Sequence, residues 1–198
     1  MAGIILIVTV AVSLAGLLFA RPLLEACLFR PYWLLSQRRY WTVIASGFVH
    51  ADIAHLFFNC VSYWFFAFNL QRVIGPARFT ALYLIGLLAS NTGTYFKHRL
   101  EPDYATLGAS GAILAVLFAS IVYFPHQSIV ILPIPIPIPA PLFALLYLAY
   151  SYYAARLHRG RINHDAHFYG ALAGLAFVGL SDPAVCESAW NAVMHRQL

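Results

Sequence analysis

Three groups of residues in this sequence carry side chains suited to acyl-transfer chemistry. The first is Ser110 within Gly108-Ala109-Ser110-Gly111, inside the longest charge-free run of the chain, Tyr104 to Ala155. If a helix begins there, Ser110 has unpaired backbone N–H groups and a positive dipole end beside it, and both favour an oxyanion next to a nucleophile. Gly108 permits the tight turn such a start needs. Taken alone, the stretch reads more readily as helix packing, because small residues at this spacing are common where helices touch.

The second group is His167 with Gly170 and Gly174, at i, i+3 and i+7 on one helical face. A smooth glycine face lets a neighbouring backbone approach closely. If that neighbour is the Ser110 helix, with Gly111 and Gly174 drawing the two backbones together, an imidazole can take the hydroxyl proton and return it to a leaving amine. His164, one turn earlier, is the better interfacial histidine. Asp165 lies two residues from His167 and so on a different face, which makes a Ser–His dyad simpler than a triad.

His55 and Asn59, at i and i+4, form the third group. Two neutral donors on one helix face can hold a tetrahedral oxyanion, and they can equally be a structural hydrogen-bonded pair. His50, His55, His164 and His167 offer nitrogens for a metal, but no carboxylate or thiol stands with them at ligand spacing. Haem ligation by paired histidines is the remaining cofactor alternative, and no cofactor or metal is expected.

These groups need elements to position them, and composition says what kind. Of the 198 residues, 62% are hydrophobic and 10% charged, against about 25% charged in soluble domains. The mean hydropathy is +0.75. Long apolar runs rather than short alternating ones indicate helices in lipid. The expected fold is therefore all-α, a polytopic membrane protein and one membrane domain over 1–198. Its six spans lie at about 3–20, 51–70, 79–96, 109–124, 142–155 and 164–180, with 182–198 a short, weakly amphipathic tail. The first span lacks a basic residue before Arg21, so it reads as a transmembrane helix rather than a signal peptide. Arg21 to Trp41, with its prolines, arginines and aromatics, reads as a loop lying at the interface. The prolines at 133, 135, 137, 139 and 141 exclude helix interior and predict an extended segment. Arg156, Arg159, Gly160 and Arg161 read as a basic turn. Three cysteines, odd in number and without paired spacing, predict neither a disulfide framework nor a zinc site. The net charge of +5 is loop-borne and suits anionic headgroups better than nucleic acid.

At this point the residues resemble the rhomboid family of intramembrane serine proteases over roughly Tyr40 to Leu180. The match consists of Gly47-Phe48-Val49-His50 followed by His55-Leu56-Phe57-Phe58-Asn59, then Gly108-Ala109-Ser110-Gly111, then His164-Asp165-Ala166-His167-Phe168-Tyr169-Gly170-Ala171-Leu172-Ala173-Gly174. The pieces fall on the second, fourth and sixth hydrophobic spans. The resemblance implies a six-helix rhomboid-like bundle in which Ser110 is the nucleophile and His167 the general base. His55, Asn59 and the Ser110 N–H would stabilise the oxyanion, and His50 would be a structural partner near the mouth. It further implies transmembrane protein substrates cut in or near the membrane segment, a fifth helix acting as a lateral gate, and a bacterial inner (plasma) membrane setting. Ser62 and Asn91 are expected to help line a wet cavity.

Three departures from the family pattern stand out. Trp41 is followed by Thr42 rather than Arg, leaving Arg38 or Arg39 to anchor the first loop. Gln71 replaces an acidic residue at the end of the second helix. Leu114 stands where some members have a tyrosine that stacks on the base. Family precedent puts the N-terminus in the cytoplasm. The charges argue the reverse, with nine Lys/Arg in the loops that precedent puts outside and three inside. Two other function classes fit the same composition. One is a non-catalytic rhomboid-like protein that binds membrane clients. The other is a histidine-lined transporter or haem protein.

Overall fold

The computed structural model describes residues 1–131, 134–157 and 162–195. It is predominantly helical. Helix α1 (Ala2–Leu14) runs on through a π-helical turn, Ala15–Phe19. The following loop holds two short helices, α2 (Arg21–Cys27) and α3 (Trp33–Ser36), and α4 (Thr42–Ala45) leads to the His50 turn. Next come α5 (Ile53–Ile74) and α6 (Pro76–His98), separated by Gly75 alone. Gly75 ends α5 at φ +80°, a conformation glycine tolerates, and Pro76 starts α6 where its missing N–H costs no hydrogen bond.

Helix α7 (Ser110–Tyr123) is the centre of the bundle. Every residue from Gly111 to Ile121 is buried, as befits a helix apolar all round. It packs on α5, on α6 and on α9 (His164–Ser181). Between α7 and α8 (Ala140–Leu157) lies an antiparallel hairpin of β1 (Ser128–Ile131) and β2 (Ile134–Pro139). Ser128 pairs with Pro139, Ile129 with Ile138 and Val130 with Pro137, after which the register slips. The segment is extended as the prolines require, but paired. Pro141 is the exception: it lies in the first turn of α8, where proline is tolerated. Pro133, and Arg159, Gly160 and Arg161 of the basic turn, lie outside the described residues.

The tail is more ordered than a weak amphipathic pattern suggests. Helix α10 (Pro183–Met194) turns back at 111° to α9. The corner is tied by a hydrogen bond from Tyr123 Oη to Asp182 Oδ2 (3.0 Å) and another from Arg78 Nη2 to the Ser181 carbonyl (2.9 Å).

Helices cover each of the six expected stretches. Length and apolarity alone single out two of the described helices as membrane-crossing, Ala2–Phe19 and Ile53–Ile74, or three if α9 and α10 count as one bent span. The others fall short for physical reasons. Helix α6 is diluted by Gly86, Ser90, Asn91, Gly93 and Thr94, all buried against other helices, and α7 has only 14 residues. Apolar side chains such as Ile7, Phe65, Leu145 and Leu180 are exposed around the outside, which a hydrocarbon solvent accommodates and water does not.

Candidate active site

Ser110 is the first residue of α7, and the turn that delivers it is held from several sides. Thr106 and Phe29 exchange backbone hydrogen bonds of 3.0 Å, fastening this loop to the first one. The Gly108 N–H donates to the Ser46 carbonyl (2.9 Å). Gly108 has φ +117°, which favours glycine, and a Cβ there would lie 2.8 Å from His55 Cε1, so the His55 ring would have to shift. The Ala109 N–H points to His50 Nε2 (3.4 Å). That contact fixes the His50 tautomer, because Nε2 must accept and the ring hydrogen must sit on Nδ1. His50 Nδ1 accordingly donates to Ser13 Oγ (2.9 Å), and Ser13 donates to the Phe48 carbonyl (2.9 Å). A fully buried histidine thus links α1 to the start of α7.

His167 reaches Ser110 from α9. Asn163 caps α9 by accepting from the Ala166 N–H (3.0 Å) and donates to Thr94 Oγ1 (3.0 Å) and Thr106 Oγ1 (3.2 Å), which anchors the helix start to α6 and the Ser110 loop. Glycines set the α7–α9 separation. Any Cβ on Gly170 would overlap the Gly111 carbonyl, and one on Gly174 the Ala115 carbonyl. Gly170 thus meets α7 at Gly111, and Gly174 meets it one turn further on, at Ala115. Gly111 also faces Ser90 of α6 with no room for a side chain. At this approach His167 Nε2 and Ser110 Oγ stand 2.8 Å apart.

His55 and Asn59 sit on α5 beside the same turn. Asp52 caps α5 by accepting from the His55 N–H (2.7 Å), which orients the first helical turn. The His55 ring lies against Gly108 and meets His50 edge-to-face, with centroids 4.9 Å apart. Asn59 is buried and lines a small cavity with Ala109 and Ile113. Its Nδ2 donates to the His55 carbonyl (2.9 Å), which engages one of its two amide hydrogens.

Asp165 turns away from His167. Both its oxygens lie 2.9 Å from Lys97 Nζ, and Oδ2 is 3.3 Å from His98 Nε2. Lys97 also donates to the Ala155 carbonyl near the end of α8. His98 bonds Glu101 (2.9 Å) through its other nitrogen and stacks on Tyr104, whose phenol is pushed above its ordinary pKa chiefly by burial.

Arg39, rather than Arg38, grips the first loop, donating to the Ala26 carbonyl (2.7 Å) and lying over the Trp41 ring. Gln71 Oε1 accepts from the Ala2 N–H (2.6 Å), a bond that needs no charge. Asn91 has its amide turned to the protein. It is buried and donates to the Val43 carbonyl (2.6 Å) and Ser46 Oγ (3.3 Å). One residue at the site escaped the sequence reading altogether. Tyr147 of α8 brings its hydroxyl to 3.0 Å from His167 Nδ1. The only hint was the missing ring at Leu114, which is packed in the apolar cluster with Phe143 and Ala171 against which Tyr147 also rests.

A family model described as the Rhomboid domain matches residues 37–181. The chain is 38% identical over 82 residues to the putative rhomboid protease YdcA of Bacillus subtilis, covering 41% of this chain and 40% of that protein. It is 29% identical over 156 residues to the mitochondrial rhomboid protein 1 of Saccharomyces cerevisiae, covering 75% and 45%. It is 32% identical over 147 residues to the mitochondrial presenilin-associated rhomboid-like protein A of Danio rerio, covering 73% and 38%. The chain spans less than half the length of each of these relatives.

Proposed function

The chain belongs to the rhomboid family of integral membrane proteins, and on that footing we propose that it is a serine endopeptidase that cuts transmembrane proteins in or near their membrane segment. Ser110 Oγ attacks the scissile carbonyl while His167 Nε2 takes its proton and later delivers it to the leaving amine. The Ser110 N–H at the start of α7, with His55 and Asn59, receives the oxyanion. His50 holds the turn and touches no reacting atom. The observation that carries this reading is the 2.8 Å contact between His167 Nε2 and Ser110 Oγ, within general-base reach.

The same reading makes the chain one membrane domain with six spans in a rhomboid-like bundle. The helices too short or too polar to qualify alone would be shielded by their neighbours. The proposed setting is a bacterial plasma membrane, in keeping with the relative from Bacillus subtilis. Substrate helices must unwind locally before a peptide bond is open to attack. Substrates with Gly or Ala near the cut should therefore be cleaved faster than Leu-rich ones, and equal rates would count against cleavage within a helix.

The test uses the full chain in detergent or liposomes, a model transmembrane substrate and a fluorophosphonate probe. The parent should label and cleave. Ser110→Ala and His167→Ala should lose both activities, and His164→Ala should keep most of them. A parent that does neither, or labelling that survives loss of Ser110, overturns the protease reading. Intact Ser110 and His167 disfavour a non-catalytic client binder, which has no use for the pair.

A further inference from the structure

The imidazole of His167 is held at both nitrogens. Nε2 is 2.8 Å from Ser110 Oγ and Nδ1 is 3.0 Å from Tyr147 Oη. A neutral imidazole carries one N–H, so two arrangements satisfy these distances. With the hydrogen on Nδ1, the ring donates to Tyr147 and turns a lone pair toward the Ser110 hydroxyl. With the hydrogen on Nε2, the ring donates to Ser110 and accepts from Tyr147, and it cannot take the serine proton. The direction in which the phenol points its hydrogen therefore decides whether His167 is a base.

Ser151 supplies the place for that hydrogen. It lies one turn beyond Tyr147 on the same face of α8. Its side chain is fully buried, and Oγ has no hydrogen-bond partner among the described residues. The hydroxyl is close enough to the phenol to interact with it, though no hydrogen bond between the two is formed. Buried hydroxyls are normally satisfied. Accepting from Tyr147 satisfies Ser151 and leaves the phenol oxygen free to receive His167 Nδ1–H. The ring planes of Tyr147 and His167 are within 24° of parallel with centroids 6.5 Å apart, so the contact is made through the hydroxyl rather than by face-to-face stacking.

We propose that Tyr147 is a positioning residue that holds His167 in the Nδ1–H tautomer, with Ser151 receiving the phenolic hydrogen. The proposal rests on the reading of Ser110 and His167 as nucleophile and base. Tyr147 belongs to α8, whereas the nucleophile and base sit on α7 and α9. Displacement of α8 therefore removes the acceptor from Nδ1 and weakens the base.

The experiment measures the rate at which the fluorophosphonate modifies Ser110, together with kcat and KM on a transmembrane substrate, for the full chain. Tyr147→Phe keeps the ring and removes the acceptor. It should lower the modification rate and kcat about tenfold, the scale of one hydrogen bond, with KM within twofold. Ser151→Ala should lower the same rates about threefold, and the double variant should be no slower than Tyr147→Phe. Ser151→Ala leaves the phenol in place and keeps the test decisive if Tyr147→Phe folds poorly. A parent that labels normally beside a Tyr147→Phe and a Ser151→Ala that label equally fast overturns the tautomer role alone. A parent that does not label overturns the dyad, and this proposal with it.

Discussion

Gly174 of α9 faces the main-chain carbonyl of Ala115 on α7 with no side chain between them. Backbone cannot move aside as a side-chain tip can. Gly174→Val should therefore push the two helices apart, at a cost of about 1–3 kcal/mol. Thermal unfolding in detergent should show a lowered midpoint, and Ser110 labelling should fall because His167 retreats. Gly179, on the same helix with nothing near an added Cβ, is the control; Gly179→Ala should leave both readouts within error or slightly raise the midpoint.

Gly108→Ala tests the turn rather than the helix. The substitution meets φ +117° and the His55 ring together. Strain of this kind is on the order of 1–3 kcal/mol. Ser110 labelling should drop at least tenfold while the helical circular dichroism is retained. Unchanged labelling would separate the Gly108 conformation from the delivery of the serine.

Ser13→Ala removes the acceptor for His50 Nδ1–H. One buried hydrogen bond lost implies about 1 kcal/mol of destabilisation. Nucleophile labelling should slow several-fold, because His50 then drifts from the Ala109 N–H. A neutral result in both assays would show that the His55 ring and the Ala109 N–H hold the imidazole unaided.

The Lys97–Asp165 pair is mostly buried, with side chains 25% and 13% exposed. Lys97→Met strands Asp165 and releases the Ala155 carbonyl. The loss should be about 2 kcal/mol or more and only weakly sensitive to salt. A double-mutant cycle with Asp165→Asn measures the coupling. A coupling near zero would mean that His98 alone satisfies the carboxylate.

Much of the helix layout is legible because apolar runs and turn residues coincide, as at Leu70 to Pro76. The closeness of α7 and α9 is legible too, since glycines at 170 and 174 leave no other use for that face. Their partners are not, because register between helices depends on crossing geometry rather than spacing. The hairpin is hidden because prolines at alternate positions signal extension without saying whether a partner strand exists. Tyr147 is hidden for a related reason. Nothing within α8 distinguishes it from Tyr150, Tyr152 or Tyr153; only the packing of α8 on α9 turns it to His167. Asp165 is readable only in the negative. Its spacing removes it from the His167 face, and the fold alone joins it to Lys97 and His98.

The hairpin has a consequence for what can dock beside it. The Ala140 N–H donates to the Gln127 carbonyl (2.9 Å), so positions 140 and 138 point their N–H groups toward β1. Positions 139 and 137 then face the outer edge, and both are proline. That edge offers carbonyl oxygens and, at these positions, no donors. An extended peptide, or the same strand of a second copy, therefore finds half of the ladder missing. The prolines make β2 a strand that ends its sheet, so extended peptides gathering near the bundle are turned away from template growth at that side.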